Sequence, residues 1–121
     1  MNIQKFTQKS MEAVEGCQKL AYEYGHQEIE QEHLLLSLLT QEDSLILKLI
    51  EKMEINKDYF IDTVKKALDA KVKVSGGELR FGQYLNKALV NAEDEAKAMG
   101  DEYVSVEHLF LALLKYPSPS M

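Results

Sequence analysis

Apolar residues recur along this chain at intervals of three and four, a helical period. Over residues 7–24, Met11, Val14, Cys17, Leu20 and Ala21 fall on one stripe. Thr7 stands where an N-cap is needed, and Phe6 before it is placed to staple onto Met11. Gly25 stands where a left-handed residue closes a helix. A second helix, 31–39, carries leucines at 34, 35, 36, 38 and 39 behind Glu30 and Glu32. Apolar residues around most of the circumference predict a central, buried helix. Ile46, Leu49, Ile50 and Met53 align over 44–53, and Phe60, Val64 and Leu68 align over 57–70 behind Asn56 as N-cap. Residues 71–80 lose the period. Val72 and Val74 alternate with lysines there, but no second strand signal offers a partner, so a linker is expected. Helical pattern resumes over 82–99, stops at Gly100, and returns over 106–115 with Ser105 as N-cap.

These elements repeat. A shift of 75 positions superimposes the chain on itself without a gap. Phe6 falls on Phe81, Ala13 on Ala88, Ala21 on Ala96 and Gly25 on Gly100, while Glu32-His33-Leu34 falls on Glu107-His108-Leu109. The expected fold is therefore all-α: duplicated four-helix units related by a pseudo-two-fold, forming one domain over 1–121. Repeat one covers about 6–70, the linker about 71–80 and a partial repeat two about 81–116. Two full copies at this spacing need 150 residues against the 121 present, so the second unit is expected to be truncated to about two helices. Its leucine face over 106–115 is then expected to stand open as an apolar patch, through which the fragment, otherwise monomeric, associates weakly.

Composition narrows the function classes. Fourteen Lys+Arg against 20 Asp+Glu give a net charge of −6, and Arg80 is the one arginine. Nucleic-acid binding, which needs a basic face, is disfavoured. The only prolines are Pro117 and Pro119, which removes the turn chemistry an all-β fold of this size requires. No apolar run approaches a membrane span and no secretory signal is visible. With a single cysteine, the expected location is the reducing cytoplasm.

Candidate chemistry is sparse. Cys17, mid-helix, reads as a packed small hydrophobe. Of the histidines, His26, His33 and His108, the last two are repeat-equivalent and lie just inside helix starts, where a packed or capping imidazole fits better than a metal ligand. No phosphate-binding glycine loop or zinc spacing occurs. Ser10, His33 and Asp43 supply the residue types of a triad without the local signature of a nucleophile elbow. Glu32 and Glu107, with Asp101 beside Gly100, complement helix N-termini and are also candidates for binding. The tyrosines (22, 24, 59, 84, 103 and 116) suit a core rim. No catalytic site is expected.

Phe6-Thr7, Gly25 and Glu32-His33-Leu34-Leu35-Leu36, followed by Gly100-Asp101-Glu102-Tyr103-Val104-Ser105-Val106-Glu107-His108-Leu109, resemble the double repeat of the Clp N-terminal domain family over essentially the whole chain. Within that family the chain looks most like the ClpB-type disaggregases, with the ClpC-type unfoldases as the nearer rival. ClpC-type domains typically carry Gly-Thr-Glu-His where this chain has Glu30-Gln31-Glu32-His33 and Ser105-Val106-Glu107-His108. The resemblance implies a non-catalytic, all-helical N-terminal domain of a homohexameric AAA+ ATPase. Such a domain engages unfolded or aggregated polypeptides, adaptor proteins or a co-chaperone system and passes substrate to the ATPase ring. It implies no cofactor in this stretch, with ATP and Mg belonging to the full-length protein. The ClpB-type substrate surface maps onto Thr7, Asp101 and Glu107. The ClpC-type alternative, phosphoarginine or adaptor recognition, maps onto Glu32 and Glu107.

Overall fold

The computed structural model describes residues 3–74 and 76–121. After a short 3-10 turn at Ile3–Lys5, the chain forms α1 (Gln8–Glu23), β1 (Glu28–Ile29), α2 (Gln31–Thr40), α3 (Leu45–Lys52), α4 (Lys57–Asp69), β2 (Arg80–Phe81), α5 (Gln83–Ala98) and α6 (Val106–Lys115). The N-caps lie where side-chain chemistry predicts. Thr7, Ser44 and Asn56 accept from the backbone N–H groups of Ser10, Leu47 and Tyr59.

The two long first helices end alike. Gly25 and Gly100 adopt φ of 75° and 74°. His26 N–H then donates to the Ala21 carbonyl, and Asp101 N–H to that of Ala96, both at 2.8 Å. This is the Schellman closure. It fixes the side chains of His26 and Asp101 at equivalent places just past each helix.

The copies are joined by exchange. β1 runs parallel to β2 with Ile29 opposite Phe81, and an isolated parallel bridge joins Phe6 to Val104. The shift of 75 carries Phe6 onto Phe81 and Ile29 onto Val104. Each copy's entry residue therefore pairs with the other copy's connector. The linker expected over 71–80 thus runs into a two-residue strand, because Arg80–Phe81 finds its partner in the other repeat. The segment 71–74 is irregular, as expected.

α2 lies at the centre, against α1, α3, α4, α5 and α6. It approaches α1 closely at Gly16, where a Cβ would come within 2.5 Å of Ser37 Oγ. That hydroxyl donates to the Ala13 carbonyl at 2.7 Å, so α1 and α2 are locked through a glycine and a serine.

The expected open leucine face is largely closed. α6 packs on α5 and across on α1, α2 and α3, burying Val106, Leu109, Phe110, Ala112 and Leu113. Copy-one helices cover it, so a whole face for self-association is not available. What remains is Leu114, 60% exposed, on the rim of an apolar cleft of about 350 Å³. Phe60, Val64, Phe110, Leu113 and Met121 also line that cleft.

Candidate functional site

Each second helix begins with the same device. The N-cap backbone N–H donates to Nδ1 of the histidine three residues on, Glu30 to His33 and Ser105 to His108, both at 2.9 Å. An Nδ1 that accepts leaves the proton of the neutral ring on Nε2. In copy two that Nε2–H points at Asp101 Oδ2, 2.8 Å away. In copy one His33 Nε2–H points at His26 Nδ1, also at 2.8 Å. His26 and Asp101 are repeat-equivalent, so the same slot holds an imidazole in one copy and a carboxylate in the other.

The imidazole pair is buried and kept neutral. Burial pushes His33 down to about 4, reinforced by His26 and Lys71. Burial also lowers His26, helped by Lys73 and Lys71. Tyr24 stacks on His26, whose Nε2 is buried without a well-formed hydrogen bond.

The paired glutamates differ as much. Glu32 is 3% exposed. Its Oε2 lies 3.0 Å from Lys71 Nζ and accepts from Ser120 Oγ at 2.9 Å. Burial alone would raise this carboxyl, but Lys71, the backbone N–H of Glu32 and Ser120 outweigh it and hold it below its usual value. Lys71 also pairs with Glu30 at 3.1 Å. Gln31 anchors the tail that carries Ser120. Its Oε1 accepts from Ser118 N–H at 2.8 Å, and its Nε2 donates to the Tyr84 and Tyr116 carbonyls. Glu107, by contrast, is exposed.

The segment that carries Asp101 and Glu107 meets Thr7 through Val104. Thr7 N–H donates to the Val104 carbonyl at 2.9 Å, and Asp101 and Glu107 lie three residues to either side of Val104. Thr7 is half-buried and Asp101 exposed. At Asp101 opens a polar cleft of about 480 Å³, also lined by Lys5, Asp94, Lys97, Glu102 and Val104. The sequence pairs Glu32 with Glu107, but the fold separates them by accessibility.

Other candidates are accounted for. Cys17 is fully buried, its thiol pushed up to about 12 by burial, so it is no nucleophile. Ser10 commits its hydroxyl to the Thr7 and Val104 carbonyls, and His33 commits its two nitrogens to Glu30 and His26. No triad with Asp43 is assembled. Among the described residues no group of three or more potential ligands could hold a metal ion, and no helix is long and apolar enough to cross a membrane. Every tyrosine but Tyr24 is exposed. Sequence reasoning missed His26, Lys71, Gln31 and Ser120. His26 carried a usable signal, its register with Asp101. The others carried none.

Residues 5–119 match the model of the Clp repeat (R) N-terminal domain. The chain belongs to that family. Among curated Clp relatives, the chaperone protein ClpB of Nitratidesulfovibrio vulgaris is 38% identical over all of this chain, which spans 15% of that protein's length. The N-terminal domain of the ClpV1 ATPase from E. coli EAEC superposes with a TM-score of 0.85 at 27% identity, covering 94% of this chain and 70% of that one. A ClpV N-domain solved in complex with a VipB peptide shares the fold, with a TM-score of 0.76 at 23% identity, covering 98% of this chain and 75% of that one. This chain is thus a Clp-type chaperone N-domain, mostly helical and duplicated.

Proposed function

We propose that this Clp N-domain is the substrate-engaging module of a ClpB-type disaggregase. It holds unfolded or aggregated polypeptide at the edge formed by Thr7, Asp101 and Glu107 and releases it to the ATPase ring. One observation carries the reading: of the two repeat-equivalent glutamates, Glu107 is exposed to solvent and Glu32 is buried. Its backbone is rigidly set by the Phe6–Val104 bridge, so a bound segment meets a preorganised surface. The identity with ClpB relatives supports the disaggregase branch, and the VipB peptide held by a ClpV N-domain supports a polypeptide ligand. On this reading ATP and Mg belong to the hexameric ATPase ring of the full-length protein, in the cytoplasm.

Titration with fluorescein-labelled, reduced and carboxymethylated lactalbumin tests it. Thr7→Ala and Glu107→Ala are expected to weaken binding at least fivefold, and unchanged binding in both removes the proposed surface. Adaptor or phosphoarginine recognition is the rival for Glu107. Saturable phosphoarginine binding lost in Glu107→Ala favours it. The rival's other residue, Glu32, is already ion-paired to Lys71.

A further inference from the structure

Glu32 sits in a pocket built for a cation and a hydroxyl, and both are supplied by the chain itself. Its side chain is 4% exposed, Lys71 Nζ and Ser120 Oγ share Oε2, and Oε1 is buried without a well-formed hydrogen bond. An under-satisfied buried carboxylate oxygen is costly, so it marks a place where the cover fits less well than a full complement of donors. The cover comes from outside the repeat motif. Lys71 belongs to the linker, held by Val74 N–H on the Gly25 carbonyl at 2.8 Å and by Lys73 Nζ on the Tyr24 carbonyl at 2.9 Å. Ser120 belongs to the tail, held by Gln31. The motif position equivalent to Gln31 is Val106, which has no side-chain polar group and cannot anchor a strap.

We propose that Lys71 and Ser120 form a built-in cover over the copy-one edge, an autoinhibitory contact that leaves this duplicated domain with one working polypeptide edge instead of two. The inference rests on the proposed role of the Glu107 edge. The cover makes Lys71 an internal stand-in for a cationic side chain of the bound polypeptide. Removing the ammonium uncovers Glu32 and creates a second edge.

Carbodiimide labelling of carboxyl groups with an added amine, read residue by residue by mass spectrometry, follows the cover without any ligand. In the wild type Glu32 is expected to label at least tenfold more slowly than Glu107. Lys71→Met raises Glu32 labelling at least tenfold, and Lys71→Arg leaves it protected. If Lys71→Met does not fold, Ser120→Ala takes its place: a severalfold rise supports the cover and an unchanged rate overturns it. The binding arm uses the same carboxymethylated lactalbumin. Binding lost in Glu107→Ala and regained in Glu107→Ala/Lys71→Met supports the inference. Binding lost in the first and still absent in the second overturns it while leaving the Glu107 edge standing. No binding to the wild type retires the proposed function, and the inference falls with it.

Discussion

Residues 26–33 and 101–108 share a backbone plan and differ in charge. In both, a Schellman turn delivers a side chain to the Nε2 of a histidine that caps the next helix. In copy two that side chain is the Asp101 carboxylate, which is exposed while His108 is buried. In copy one it is the His26 imidazole, sealed beneath Lys71 and Tyr24. The lesson is that duplication preserved the backbone geometry while the outer layer diverged. The motif glutamate is buried in one copy and exposed in the other.

The largest expected effect tests that division in the core. Leu39 and Leu114 are the same residue at the same motif position, 1% and 60% exposed. Leu39→Ala is expected to cost about 2–5 kcal/mol, as buried leucine truncations do. Leu114→Ala is expected to stay within about 0.5 kcal/mol. Urea unfolding of both variants measures the difference; similar losses would mean that α6 is buried as deeply as α2.

Acid should act on copy one. His33 titrates near 6.5 in the unfolded chain and about 4 in the fold. A depressed histidine leaves stability intact above the unfolded value. As pH falls from 6.5 towards 4 the unfolded chain takes up the proton first, so stability is lost across that window, by on the order of 2–3 kcal/mol. The groups around the pair enter this balance on both sides: His26 and Lys71 oppose protonation of His33 while Glu32 favours it, and Lys73 and Lys71 oppose protonation of His26 while Glu30 favours it. His26→Asp gives copy one the arrangement of copy two, with a carboxylate to receive a protonated His33. Its stability between pH 7 and 4.5 should therefore fall less than that of the wild type. An equal fall in both proteins would place the acid sensitivity elsewhere.

Thr7 and Gly82 are another divergent pair. Thr7 caps α1 through its side chain, whereas Gly82 at the start of α5 has none to offer. Thr7→Ala is expected to cost about 1 kcal/mol, measurable by chemical unfolding. This loss has to be known before any binding defect of Thr7→Ala is assigned to contact with polypeptide.

The helices were legible because each carries its own instructions. The stripe of Met11, Val14 and Cys17, the Thr7 and Asn56 caps and the glycines at 25 and 100 are all local signals. The repeat made Glu32 and Glu107 visible as a pair. The β1–β2 ladder was not legible, since two residues per strand give no alternation to read and the partner lies in the other copy. Nor was the burial of α6. That depends on α3 of copy one reaching across, a tertiary fact with no local signature. The closure of Glu32 was least legible of all, because Lys71 and Ser120 arrive from 39 and 88 positions away along a linker and a tail.

The smallest expected effect on stability is the one most informative for function. Glu107 is exposed in the first turn of α6, so Glu107→Ala removes only a favourable charge at a helix N-terminus, worth a few tenths of a kcal/mol at an exposed site. Glu32→Ala should cost more, because it leaves the Lys71 ammonium, 16% exposed, with Glu30 alone as its counter-charge. Thermal unfolding of the two variants side by side is expected to rank them in that order. A Glu107→Ala protein that loses more than about 1 kcal/mol would show this carboxylate holding the fold together. Its binding phenotype would then report on folding, and the contrast between a structural glutamate and a working one would collapse. A near-silent stability change with lost polypeptide binding leaves only a surface role for Glu107.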